Sequence, residues 1–174
     1  MMQIGTIQVY TGDGKGKTTA AIGQAIRAAG HRLRVMMIQF MKGKINYGEL
    51  EAVKQILGFT IEQYGGPEFV NKNNPDKEDI EWAQKGWSRA KEVIQSGKYD
   101  MVILDELNIA LDFGLIALDE VIEGMKSKPK HLELILTGRY APREIMELAD
   151  LVTEMKEIKH PYQKGIQARE GIEY

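Results

Sequence analysis

The chain has no cysteine. Disulfides, thiolate nucleophiles and Cys-ligated zinc or iron–sulfur sites are therefore excluded. Histidine is scarce: His31, His131 and His160 stand far apart in 174 residues, so a histidine-rich metal site would need long-range convergence. An excess of one charge is also missing. Lys plus Arg number 23 and Asp plus Glu 25, a formal net charge of −2, which makes no global electrostatic case for a nucleic acid or an anionic membrane as partner. No stretch approaches the roughly 18 apolar residues of a membrane-spanning helix, and the first residues lack the basic start and apolar run of a signal peptide. A reduced, soluble, cytoplasmic protein is the expectation. Hydrophobic residues make up 43% and charged residues 28%; wholesale disorder is not expected of such a mixture, and this length suffices to bury a sizeable core.

What is present alternates between two periods. Ile4 to Tyr10 reads as a strand running into Thr11-Gly12. From Thr18 the period becomes helical, with Ile22, Ala25, Ile26 and Ala29 on one face and Gly30 as the expected left-handed C-cap. Val35 to Phe40 is a short apolar run suited to a doubly buried strand. A helix over Glu49–Leu57 is predicted with Leu50, Val53 and Leu57 inward, then a strand over Phe59–Tyr64. Asn74 and Pro75 are expected to start the next helix, with Ile80, Ala83, Trp87, Ala90 and Ile94 as its apolar stripe and Gly97 as its end. Met101–Leu104 and Leu132–Leu136 read as strands, Leu118 to Met125 and Pro142 to Ala149 as helices, and Leu151 to Ile158 as a last strand. Strands alternating with helices imply an α/β fold with a mostly parallel sheet flanked by helices. One domain over residues 1–174 is expected. The Gly65–Asn74 loop and a tail from about Lys159 to Tyr174 stand outside the rhythm, and stretches of that kind usually carry function or disorder.

The sharpest signal is Thr11-Gly12-Asp13-Gly14-Lys15-Gly16-Lys17-Thr18-Thr19 between a strand and a helix, the context of a phosphate-binding P-loop. Glycines let successive N–H groups turn inward on phosphate oxygens, the helix start adds its dipole, Lys17 supplies a mobile positive charge, and the Thr18 hydroxyl suits a magnesium ion. Thr11 stands where the general pattern has its first glycine. A second signal is the apolar run Met101–Leu104 ending in Asp105-Glu106: one carboxylate can hold the metal, directly or through water, while the other polarises a neighbour. A third is Leu136-Thr137-Gly138-Arg139, a strand ending in a turn that presents an arginine where ligands gather in parallel sheets. Trp87, on the apolar stripe, and most of the nine Met read as core. His160 has no evident partner and reads as surface.

The residues alone leave three readings open. One is a transferase acting on ATP. A second is a P-loop ATPase in which Glu106 orients a water toward the terminal phosphate. The third is a nucleotide-sensing module whose tail engages a protein.

Several segments coincide: Tyr10 to Ala21 around the glycine loop, Leu104-Asp105-Glu106-Leu107-Asn108, Leu136-Thr137-Gly138-Arg139, and the tail His160-Pro161-Tyr162 followed by Lys164 to Arg169 and Gly171 to Tyr174. Together they closely resemble the P-loop type of ATP:corrinoid adenosyltransferase along nearly the whole chain. The resemblance implies a RecA-like fold and a homodimer. It implies transfer of the 5′-deoxyadenosyl group of ATP to the cobalt(I) of cob(I)alamin or cob(I)yrinic acid a,c-diamide, with triphosphate as leaving group and a flavoprotein reductase as a partner supplying reduced cobalt. Carried over by position, Gly12, Asp13, Gly14, Lys15, Gly16, Lys17, Thr18 and Thr19 hold the triphosphate, and Asp13 stands where relatives often have Asn. Thr18 and Glu106 serve Mg²⁺ or Mn²⁺, Lys17 and Glu106 act in catalysis, and Asn108 and Arg139 lie near the nucleotide. Phe69 matches an aromatic position near the corrin ring, with Asn71 where a second aromatic is expected. The chemistry needs no general base, because reduced cobalt is already a strong nucleophile; it needs alignment and stabilisation of the leaving group.

Overall fold

The structure, a computed structural model, describes residues 4–43, 47–66 and 70–174. Its element order is β1 (Ile7–Thr11), α1 (Lys17–Gly30), β2 (Val35–Phe40), α2 (Gly48–Val53), β3 (Phe59–Tyr64), α3 (Lys77–Gln95), β4 (Met101–Asp105), α4 (Leu107–Asp112), α5 (Leu118–Lys126), β5 (Glu133–Thr137), α6 (Arg143–Leu148) and β6 (Leu151–Glu154), followed by a 3₁₀ turn at Pro161–Lys164. The strands form one sheet of order β3-β2-β4-β5-β1-β6, and every pairing is parallel. Strand β5 thus separates the glycine-loop strand β1 from β4, the RecA-like arrangement.

Parallel strands linked by crossovers must be covered on both faces, and the residues obey this. Every residue of β2 and β4 is buried. Met36, Ile38 and Phe40 turn to the face covered by α3, where Trp87 is 1% exposed, while Val35 and Met37 turn to the face covered by α1. Each such side chain taken from water stabilises the fold by about 1.5–3 kcal/mol, so the central strands are a rigid support for what stands at their carboxyl ends.

Several local expectations shift. The first strand begins at Ile7, and Ile4 is 79% exposed. Helix α1 packs through Ala21, Ala25, Ala28 and Ala29, and Ile26 is exposed. Small side chains let the helix after a glycine loop approach the sheet closely, which rotates the buried stripe off Ile26. Gly30 is still helical. The left-handed residue is Arg32, φ 62, and Arg32 N–H to Ala29 O (2.8 Å) with Leu33 N–H to Ala28 O (3.1 Å) complete a Schellman closure. Helix α2 stops at Val53, leaving Leu57 exposed. Helix α3 is capped by Asp76 rather than Asn74, and the Asp76 N–H donates to Asp79 Oδ2 at 3.1 Å; Ile80, one of its predicted stripe residues, is 41% exposed. The last strand ends at Glu154. Helix α4, unforeseen, buries Leu107, Ala110 and Leu111. No helix among the described residues is long and apolar enough to cross a membrane.

Candidate active site

The loop between β1 and α1 bends where only glycine bends easily. Gly16 has φ 123, a conformation that a Cβ disfavours. At Gly14 the constraint is space: its N–H donates to Met155 O at 2.6 Å, and a Cβ there would lie 2.7 Å from the same oxygen. Thr11, at the departure from the general pattern, is the buried last residue of β1. The first helical hydrogen bond runs from Ala20 N–H to Gly16 O at 2.7 Å. The N–H groups of residues 17–19 precede it and have no intrahelical acceptor, so the positive end of α1 faces the loop.

A cleft of about 590 Å³ opens there. Gly14 to Thr19 form its floor, with Lys42, Tyr47, Glu49, Glu106 and Arg139 around it and His160 and Gly171–Tyr174 of the tail across it. Gly12 and Asp13 are not part of this lining. The Gly12 and Gly14 carbonyls accept from Lys17 Nζ at 2.8 and 2.7 Å, and the Asp13 carbonyl accepts from Arg139 Nη2 at 3.1 Å. Lys17 is therefore buried, 8% exposed, rather than solvent-facing. Burial pulls its ammonium below the ordinary value, and Glu106 opposes this. Lys15 reaches the other way, donating to Ile172 O and Glu173 Oε1, both at 2.8 Å. Arg169 grips the same carboxylate, and the Glu173 carboxyl is held down at about 2. The tail thereby folds onto the glycine loop, and His160 stands at the cleft instead of on open surface.

The acidic pair divides its tasks. Asp105 is fully buried and accepts from Thr18 Oγ1 at 2.8 Å, Thr137 Oγ1 at 2.6 Å, Gln39 Nε2 at 3.1 Å and Lys42 Nζ at 2.9 Å. Burial lowers the Lys42 ammonium, but the charge and hydrogen bond of Asp105, helped by Glu106 and Glu49, outweigh it and raise its pKa. Glu106 begins α4 in the left-handed region at φ 62, a costly conformation for a non-glycine residue. Its N–H is anchored on Thr137 Oγ1 at 3.1 Å. Its Oε2 is shielded from solvent and has no hydrogen-bond partner among the described residues. Burial first, then Asp105, pushes its carboxyl upward.

Asn108 is fully buried, and its Nδ2 donates to Gly138 O at 3.1 Å, so it shapes the turn that presents Arg139 rather than lining the cleft. Phe69 lies outside the described residues. Lys42, Thr137, Gln39, Tyr47 and Glu49 were not anticipated. Lys42 was findable: it stands two residues past the end of β2, and in a parallel sheet the carboxyl ends of strands gather ligands, the same rule that singled out Arg139.

The family model for ATP:corrinoid adenosyltransferase BtuR/CobO/CobP matches residues 3–174. This chain belongs to that family. A corrinoid adenosyltransferase of Sinorhizobium sp. is 40% identical over 172 residues, covering 98% of this chain and 80% of that protein. The corrinoid adenosyltransferase of Escherichia coli K12 and the corrinoid adenosyltransferase CobA of Salmonella typhimurium are each 37% identical over 171 residues, 98% of this chain and 86% of theirs. Membership in the ATP:corrinoid adenosyltransferase family makes the protein a transferase with ATP and a corrinoid as substrates, and ATP hydrolysis is not favoured.

Proposed function

We propose that the cleft holds the triphosphate of ATP on the loop Gly12–Thr19 and releases it whole as the 5′-deoxyadenosyl group passes to cobalt(I). The electron pair of cobalt attacks C5′ and becomes the cobalt–carbon bond, the bond from C5′ to the α-phosphate oxygen breaks, and the triphosphate leaves with the two electrons of that broken bond. Cobalt ends as cobalt(III) bonded to carbon. Lys17, the N–H groups at the start of α1, and Arg139 take up the charge that grows on the leaving group. Such preorganised donors are worth most where water is excluded. The observation that supports this reading is the convergence on one cleft of the glycine loop, Glu106, Arg139 and the tail.

A hard divalent cation suits the donor set. Mg²⁺ is commonly held by one or two carboxylates together with phosphate oxygens and waters. The Thr18 hydroxyl donates to Asp105, leaving its lone pairs for the ion, and Glu106 Oε2 is an acceptor without a partner among the described residues. Thr18 and Glu106 would hold Mg²⁺ or Mn²⁺, which when bound supplies charge neutralisation to the phosphates. We further assign the whole chain, tail 159–174 included, to a single nucleotide-binding domain that works as a cytoplasmic homodimer and receives reduced cobalt from a flavoprotein, with Phe69 toward the corrin ring.

The test is to quench a reaction of ATP with chemically reduced cobalamin and identify the phosphate species. Tripolyphosphate in proportion to new cobalt–carbon bonds is expected. ADP and orthophosphate, formed equally well without corrinoid, would overturn the proposal.

A further inference from the structure

Asp105 and Glu106 are adjacent carboxylates at one strand end, and by chemistry alone either can take a divalent ion. Their surroundings separate them. An ionised carboxylate offers about four accepting positions. On Asp105 four donors occupy them: Thr18 and Thr137 on Oδ1, Gln39 and Lys42 on Oδ2. Among the described residues Glu106 Oε2 has no partner. Of the four donors, three are neutral and come from the body of α1, β5 and β2. Lys42 is the charged one, and it comes from the segment after β2.

That segment is held in place. The Met41 N–H donates to Tyr64 O at 2.8 Å. A Cβ on Gly43 would lie 2.1 Å from Gly65 O, so the backbone just past Lys42 lies tight against the chain beyond β3. The Lys42 side chain is 12% exposed, and its ammonium lies 4.8 Å from the centre of the Tyr47 ring. A cation approaching Asp105 Oδ2 would meet this ammonium at contact distance, and like charges in a poorly solvated site repel strongly.

Resting on the reading of this cleft as a metal–ATP site, we infer that Lys42 decides which carboxylate receives the metal ion. By filling Asp105 Oδ2 it withholds Asp105, which then serves only to orient the Thr18 hydroxyl, and it leaves Glu106 as the carboxylate that binds. Lys42 is a positioning residue: it acts through Asp105 and needs no contact with the reacting atoms.

The test is a double-mutant cycle read by Mn²⁺ binding to the protein–ATP complex, followed by electron paramagnetic resonance, with Mn²⁺ as probe and no corrinoid present. In the wild-type background Glu106→Gln should weaken Mn²⁺ binding. In the Lys42→Met background Asp105 is released to replace it, so the Glu106→Gln penalty should shrink by about tenfold, within the coupling expected of residues sharing one network. Lys42→Arg, which restores the charge, should restore the full penalty. Should Lys42→Met not fold, the cycle is run with Lys42→Gln, whose amide keeps a hydrogen bond without the charge, and a smaller drop in the same direction is expected. Equal penalties with and without the Lys42 charge overturn the inference while leaving Glu106 as a metal ligand. No penalty for Glu106→Gln beside intact Lys42 overturns the metal assignment itself.

Discussion

At the amino ends of the strands, Asp100 takes the Arg34 N–H at 2.9 Å and its guanidinium at 3.1 and 3.3 Å, Glu133 takes the Thr6 N–H and hydroxyl, both at 2.7 Å, and the Gln8 amide, and Asp150 takes the Ile7 N–H at 2.8 Å. At the carboxyl ends, Asp105 is filled by donors while its neighbour Glu106, on a left-handed backbone, keeps an oxygen with no partner among the described residues. Both ends use acids. The amino-end acids tie strand starts to neighbouring segments: Asp100 and Glu133 have donors on both oxygens, and Asp150 is exposed, so its other oxygen faces water. An unmatched buried oxygen costs free energy, and it persists at the end where a ligand can repay that cost. The fold and the chemistry are thus separated along the strand axis by about five residues of apolar β4 (Met101–Asp105).

Substitutions at the two ends should therefore fail in different ways. The largest effect is expected for Lys17→Ala. Turnover should fall about 10²–10³-fold, the usual cost of removing a donor to a charge that develops in the transition state, while circular dichroism still shows a folded protein. Turnover equal to wild type in a folded variant would place the chemistry elsewhere. At the opposite end, Glu133→Ala leaves the Thr6 N–H and hydroxyl without their acceptor and should lower unfolding free energy by about 1–3 kcal/mol, measured in urea. The rate per folded molecule should not change, and a change would couple the two ends.

A smaller effect separates the ends by pH. The Arg34 guanidinium hydrogen-bonds Asp100 and holds its carboxyl below the ordinary 3.8. A carboxyl depressed in the folded state stabilises fully above its unfolded value, and the contribution disappears as pH falls through the folded one. The stability of Asp100→Asn should consequently decline less steeply than wild type below about pH 5, and parallel acid limbs would deny the pair this role. The smallest effect concerns the tail. Glu173 joins Lys15 and Arg169 near the surface, where such pairs add little to overall stability. Glu173→Ala should leave the urea midpoint in place and yet speed proteolysis between residues 165 and 174, because the carboxylate supplies the ion pair that, beside the Ile172 carbonyl, fastens the tail to Lys15 of the glycine loop. Unchanged proteolysis would mean that other contacts hold it.

Much of this architecture is legible in the chain before folding. Period-two and continuous apolar runs locate β2, β3 and β4, since Val35–Phe40, Phe59–Tyr64 and Met101–Leu104 are bounded by turns and are too short for buried helices. Gly14, Gly16, Lys17 and Thr18 are readable because their chemistry is local: consecutive residues make the loop. Element ends are less readable. Ile26 and Leu57 fit an apolar stripe by spacing, but the close approach of α1 and the early stop of α2 leave both exposed.

The sequence by itself determined the α/β class, the glycine loop and the presence of an acidic pair after an apolar strand, because each depends on neighbours within a few positions. Tertiary structure decided how the pair divides. Nothing in the string Asp105-Glu106 says which carboxylate is saturated; that follows from Gln39 and Lys42 arriving from β2 and the chain just beyond it, 66 and 63 positions away, and Thr137 arriving from β5, 32 positions away. Folding also brought Lys15 to Glu173, 158 positions apart, and set His160 at the cleft. Hydrogen-bond capacity is filled in space, by whichever donors the strand order places together, and the order β3-β2-β4-β5-β1-β6 becomes visible only when the sheet is assembled.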